Sequence, residues 1–274
     1  MIKDITLGQF FPGTSTLHKL DPRMKLVLMI IYIVGTFLAK TVLAYAFCLL
    51  FTVTLVILSQ IKLSVILKGL KPILFLIILT AVFNLFLVKG EGEPLIAFWK
   101  LSIYADGIVY AVTIAVRIMC IITGTSVLLT YTTSPIALTD GLERLLAPLK
   151  RIKVPVHDFS MMMTMALRFI PTLLEETEKI MNAQKARGAN FTTGGLIKRG
   201  KALLPILIPL FLSAIRRAED LATAMECRCY RGGDTRTKMV ELRYTVTDLY
   251  LAIAIVLWFT AVILFNTLLP IGNF

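Results

Sequence analysis

Five apolar runs, at residues 26–39, 42–58, 73–88, 108–129 and 249–269, constrain this chain more than any other feature. A polypeptide crossing lipid must satisfy its backbone N–H and C=O groups internally, so each run that crosses has to be a helix. A crossing takes about 20 mostly apolar residues. The last two runs meet that length, while the first three need their flanks, or a tilted and locally thinned arrangement. The expectation is an all-α integral membrane protein with about five transmembrane helices. Composition agrees, with 57% of residues apolar and 17% charged, against about a quarter charged in ordinary globular domains. These proportions exclude a secreted scaffold, a disordered chain and a free cytosolic enzyme.

The 29 Lys and Arg against 17 Asp and Glu give a net charge of +12. In a membrane protein such an excess collects on cytoplasmic loops, so no nucleic-acid partner is implied. Lys3, Lys19, Arg23 and Lys25 precede the first run, and Lys62, Lys68 and Lys71 precede the third. The alternate loops hold Lys40, and Lys89 and Lys100 beside Glu91, Glu93 and Asp106. This bias puts the N-terminus in the cytoplasm and, with five spans, the C-terminus outside. Residues 1–25 form a cytoplasmic segment without the basic head, apolar stretch and cleavage site of a signal peptide. Asp21-Pro22 reads as the start of the first helix, the carboxylate capping free N–H groups and proline tolerating the first helical position. Four spans occupy 26–130 and the last occupies 246–269. Residues 131–243 carry 18 of the basic and 11 of the acidic residues, which makes them a cytoplasmic and interfacial domain where function is expected.

Within that domain Ser134-Pro135 opens a short helix with Ile136, Leu138, Leu142, Leu145, Leu146 and Leu149 on one side, a pattern suited to the membrane interface. Pro148 and Pro155 break it. A longer helix follows from about Asp158, with Phe159, Met162, Ala166, Phe169, Leu173, Thr177, Ile180 and Gln184 at spacings of three or four, and stops at Gly188. A second long helix runs from Leu196 to Arg231 and ends before Gly232-Gly233. Its apolar part, 202–215, is broken by Pro205 and Pro209, which suits a kinked helix at the membrane boundary rather than a sixth span.

The chemistry-bearing motifs are few. Gly195-Leu-Ile-Lys-Arg-Gly200-Lys201 fits most of a phosphate-binding P-loop, but Ala202 stands where the Mg²⁺-binding hydroxyl belongs, and no strand is expected before it. ATP binding by this chain is therefore not expected. Arg117 is the one ionisable residue deep in a span, either a structural partner or a functional group. No Asp or Glu lies equally deep, which argues against a proton-coupled carrier and against an intramembrane enzyme with paired acids. His18 and His157 lack a ligand set and read as capping or packing residues, and Cys48, Cys120, Cys227 and Cys229 lack the spacing of a disulfide framework or zinc site. Met161, Met162, Met163 and Met165 either fill a core or line a surface that must fit several partners. Arg187-Gly188 and Arg231-Gly232 each end a long helix, glycine supplying the left-handed turn. Capping leaves the further guanidinium of Arg228 unexplained, and an arginine-rich tip suits an acidic groove on another protein.

Three segments carry a resemblance. Ser15-Thr-Leu-His-Lys-Leu-Asp-Pro-Arg-Met-Lys-Leu26, Ala186-Arg187-Gly188 and Ala224-Met-Glu-Cys-Arg-Cys-Tyr-Arg-Gly-Gly233, in that order and with this hydropathy, resemble the transmembrane T component of energy-coupling factor transporters, which import vitamins and metal ions in prokaryotes. The resemblance implies a multi-pass subunit of the cell membrane that is not an enzyme and holds no cofactor. Two ABC-type ATPases would bind ATP and Mg²⁺, and one or more interchangeable S components would capture substrate. The two cytoplasmic helices would couple them through arginine tips. Ala186, Arg187 and Gly188 match the first tip. In the second, Cys227 and Cys229 flank Arg228 in place of the usual small residue and glycine, and Arg231-Gly232 satisfies a looser pattern. The four methionines are candidate S-component contacts. Other readings remain a T component dedicated to cobalt or nickel, a self-sufficient secondary carrier, or an intramembrane enzyme.

Overall fold

The helix starts obey local chemistry. In a computed structural model that describes residues 10–87, 96–98, 101–189, 191, 195–232 and 242–268, α1 (Pro22–Leu38) begins behind Asp21, whose carboxylate accepts from Arg23 N at 2.9 Å. Thr41 caps α2 (Val42–Ser59) through Ala44 N, and α3 (Leu63–Leu87) follows. A pair of three-residue antiparallel strands, β1 (Ile96–Phe98) and β2 (Leu101–Ile103), interrupts the helices, with Ala97 opposite Ser102. Then come α4 (Ala105–Thr125), continued by a π-helical turn at Ser126–Thr130, and α5 (Pro135–Leu145). A 3₁₀ turn at Ala147–Ile152 precedes the long α6 (Val156–Ala186) and α7 (Leu196–Cys227), and α8 (Val246–Leu268) closes the chain. The protein is an all-α membrane protein, the hairpin being its one departure among the described residues.

Two details differ from the sequence reading. The third helix starts at Leu63, ten residues before the apolar run, so Lys68 and Lys71 lie on it rather than in a loop. Lysine stems lie along an apolar helix while their ammonium groups reach the polar layer, so the charges do not end it. The second long helix stops at Cys227 rather than at Arg231-Gly232. Among the described residues, four segments are long and apolar enough to cross a membrane: Val42–Ser59, Leu63–Leu85, Gly107–Thr130 and Val246–Leu268. The 17 residues of α1 sit at the lower edge of that length.

The chain divides into two compact units, one drawn from residues 8–142 and 242–274, the other built around 143–241. In the first, α1 packs against α4 and α8, α2 against α4 and α8, and α3 along α4. Lipid offers little hydrophobic drive for helices to associate, so close approach over small residues carries the packing. Gly35 lies under Trp258 and Gly124 under Tyr32. Tyr32 and Phe51 stack on Trp258 at 5.2 and 5.0 Å, and the Tyr32 hydroxyl donates to the Cys120 carbonyl at 2.9 Å and bonds Thr52 Oγ1.

The segment Ser15–Leu26 builds a polar knot at one end of this unit. His18 Nε2 donates to the Phe11 carbonyl at 2.9 Å, so Nδ1 is free to accept from Ser15 Oγ at 2.6 Å. Buried Lys25 donates to the Thr132 carbonyl and Thr133 Oγ1 at 2.9 and 3.0 Å. Buried Asp248, at the start of α8, accepts from Asp21 N through Oδ1 and from Thr245 N and Oγ1 through Oδ2. Three chain regions are thus tied at the mouth of α1. Arg117 of α4 is held by a second network: its guanidinium donates to the Tyr45 hydroxyl and the Ala39 carbonyl, at the start of α2 and the end of α1. A cation against the negative end of α1 is favourable, and the Tyr45 and Ala39 partners favour the structural reading of this residue.

Candidate functional site

The two long helices run antiparallel, as their side-chain pairs require. Glu176 of α6 accepts from Ser213 Oγ at 2.6 Å and from Arg217 Nη2 at 2.7 Å, both on α7. Met161, near the start of α6, accepts through Sδ from the Tyr230 hydroxyl at 3.1 Å, beyond the end of α7. Residue numbers on α7 rise as those on α6 fall. The Ser213 hydroxyl first, and then the Arg217 guanidinium, hold the Glu176 carboxyl below its ordinary range. Arg187 lies eleven positions beyond Glu176, and Arg228 eleven beyond Arg217. Each stretch amounts to about 16 Å of helix, and the two point in opposite directions from the tie.

Both helices end in the same cap. In the first, Arg187 N donates to Ala183 and Gln184 carbonyls, Gly188 turns left-handed at φ 86, Gly188 N donates to Lys185 O at 2.9 Å and Ala189 N to Gln184 O at 3.0 Å. In the second, Arg228 N donates to Ala224 and Met225 carbonyls, Cys229 turns left-handed at φ 56, Cys229 N donates to Glu226 O at 2.9 Å and Tyr230 N to Met225 O at 3.0 Å. This pair of bonds closes a Schellman motif. Arg187 and Arg228 therefore occupy one structural position, Ala186 matches Cys227, and Gly188 matches Cys229. Both arginines are exposed. Arg231 and Gly232 lie beyond the second cap, with Gly232 at φ 92.

The methionines divide. Met162 and Met163 are exposed, at 58% and 40%, beside exposed Phe159, whereas Met161 and Met165 are half-buried. Leu207, Ile208, Phe211 and Leu212 on α7 are exposed too. An apolar surface of this extent marks contact with a protein or a membrane. The P-loop resemblance fails on geometry, because Leu196 to Arg199, which would have to form the phosphate-cradling loop, are already helical within α7. His157 Nδ1 lies 3.0 Å from Glu143 Oε1, which fits a packing role. Among the described residues no group of three or more His, Cys, Asp and Glu is placed to hold a metal.

The sequence reading missed the Glu176 tie and the Tyr230–Met161 bond. Glu175-Glu176 and Arg216-Arg217, opposite in sign on consecutive amphipathic helices, were the available signal for the first. Nothing in the spacing announces the second.

Known proteins give the arrangement a context. A family model described as a cobalt transport protein, CbiQ, matches residues 13–239. The energy-coupling factor transporter transmembrane protein EcfT of Ruminiclostridium cellulolyticum is 53% identical over 265 residues, spanning 96% of this chain and 98% of the relative. The proteins of the same description from Clostridium kluyveri and Bacillus subtilis are 52% and 44% identical, over 90% and 93% of this chain and 92% and 96% of their own lengths. With its fold and paired arginine caps, this chain belongs to the CbiQ/EcfT family of energy-coupling factor transporter transmembrane proteins.

Proposed function

We propose that this chain is the coupling subunit of a vitamin importer in a prokaryotic cell membrane, with five spans, a cytoplasmic N-terminus and an external C-terminus. It hydrolyses nothing itself: two ABC-type ATPases hydrolyse ATP, an S component captures the vitamin, and Arg187 and Arg228 each dock in one ATPase. The observation that carries this reading is the recurrence of one exposed arginine cap on both arms of a tied, antiparallel helix pair. ATP-driven approach of the ATPases would move both tips and shift the helices on which the S component rests.

A guanidinium in a partly desolvated groove makes two parallel bonds to a carboxylate, and removing one partner typically costs ~2–5 kcal/mol. Arg187→Glu and Arg228→Glu should therefore each uncouple uptake or release one ATPase, and the double change should do worse than either. Uptake by proteoliposomes, with pull-down of each ATPase, provides the test. Normal transport and full ATPase binding by the double variant would reduce both residues to helix caps. The methionine cluster, with Met162 and Met163 exposed, should serve the S component: Ala at Met161, Met162, Met163 and Met165 should weaken its co-purification and leave both ATPases bound. Loss of the whole protein from the membrane would instead favour core packing. The family description as a cobalt transport protein supports a second reading, dedication to cobalt, which co-purification with a single metal-binding partner would favour.

A further inference from the structure

We propose that Cys227 and Cys229 form a thiol-modification site that reversibly disables the second tip. The proposal rests on the docking role of Arg228 and adds a control to it. The matching caps put Ala186 and Gly188 beside Arg187 where Cys227 and Cys229 stand beside Arg228. A groove that receives either arginine therefore meets small flanks, and cysteine is a small flank that chemistry can enlarge. Capping does not account for the thiol at position 229, because φ 56 is a conformation glycine adopts without strain and a residue with a Cβ does not. Both thiols are exposed, in contrast to Cys48 and Cys120, which are buried in the other unit. Arg228 and Arg231 supply positive charge that draws anionic reagents to the site.

The reaction is thiol–disulfide exchange with a low-molecular-weight disulfide. The sulfur of Cys227 or Cys229 attacks one sulfur of the reagent, the reagent's S–S bond breaks as a protein–reagent S–S bond forms, and the other half leaves as a thiolate that takes up the cysteine's proton. No net oxidant is consumed beyond the disulfide, and excess small thiol reverses the step. Cytosolic disulfides are characteristically transient and redox-sensing. The adduct adds bulk beside Arg228 and leaves the first tip untouched, so one ATPase is lost and not both. Docking buries the thiols, so the assembled complex resists the reagent.

The test treats the purified full-length chain, and separately the assembled complex, with oxidised glutathione, maps adducts by mass spectrometry and measures bound ATPase. The expected result is glutathionyl on Cys227 or Cys229 of the free chain, protection in the complex, and about ten-fold weaker retention of one ATPase, restored by dithiothreitol. In Cys227→Ala/Cys229→Gly, which gives the second tip the composition of the first, the ratio of ATPase bound with and without reagent should return to one. Absence of adduct from these two thiols, or retention of both ATPases by the modified chain, would overturn the proposal. Arg228→Glu in parallel separates the two ideas: if it also keeps both ATPases, the docking role has failed; if it loses one while the adduct does not, only the thiol site has failed.

Discussion

Gly124 of α4 sits against a ring that has nowhere to go. A Cβ there would come within 2.6 Å of Tyr32 Oη, and that hydroxyl is fixed between Thr52 and the Cys120 carbonyl in a fully buried side chain. Alanine gains about 1 kcal/mol of helix propensity over glycine, but overpacking costs typically ~1–3 kcal/mol. Strain should win, so Gly124→Ala should lower the midpoint of thermal unfolding in detergent. Gly200→Ala, with nothing within 4 Å of the added carbon, should raise it, the gain being about 1 kcal/mol. Single residues also divide by how far local chemistry reaches. Asp21 and Gly188 announce a helix start and a helix stop, and each does that job. Cys229 gives no such signal, since cysteine rarely turns left-handed and Gly232-Gly233 stands nearby as a more usual terminator. Asp248 was legible in principle, because Thr245-x-x-Asp248 before an apolar run is a capping-box pattern. Its burial and its bond to Asp21 N come from tertiary packing that no local pattern encodes.

Among the elements, α6 and α7 are joined by a polar tie whose strength follows pH. The Glu176 carboxyl is held below its ordinary value by Ser213 and Arg217. A group whose folded pKa is lowered contributes stability above its unfolded pKa, near ~4.3 for glutamate, and loses that contribution as pH falls through the folded value. The pair should therefore hold unchanged from neutral pH to about pH 5 and loosen only in stronger acid. Spin labels on the two helices should report a narrow distance distribution at pH 7 that broadens below the folded pKa, and Glu176→Gln should be broad already at pH 7. A distribution insensitive to both changes would mean that apolar packing alone joins the helices. Long elements were readable because hydrophobic spacing persists over many turns, as from Phe159 to Gln184. The start of α3 was hidden by Lys68 and Lys71, which look like loop residues in a hydropathy profile yet sit comfortably on a helix. Three-residue strands such as β1 and β2 are too short to imprint alternation.

For the whole molecule, the distribution of lysine and arginine predicts an orientation that labelling can check. In a background without native cysteines, a membrane-impermeant reagent applied to intact cells should modify Asn273→Cys and spare Lys3→Cys; the reverse pattern, or both ends on one side, would sink the five-span topology. The equal arms on either side of the Glu176–Arg217 tie have a consequence at this scale. Advancing 41 positions carries Glu176 to Arg217, and Ala186-Arg187-Gly188 to Cys227-Arg228-Cys229. A rotation by half a turn about an axis through the tie thus roughly exchanges the two arms, so one chain presents a pseudo-two-fold face although its sequence has no duplicated domain. Two similar ATPases closing about their own dyad would meet equivalent handles at equal radius, and their closure would reach the chain as a balanced torque rather than a sideways push. The residues beside the arginines differ between the tips, Ala186 and Gly188 against Cys227 and Cys229, and under the proposed docking role they would tell the two handles apart.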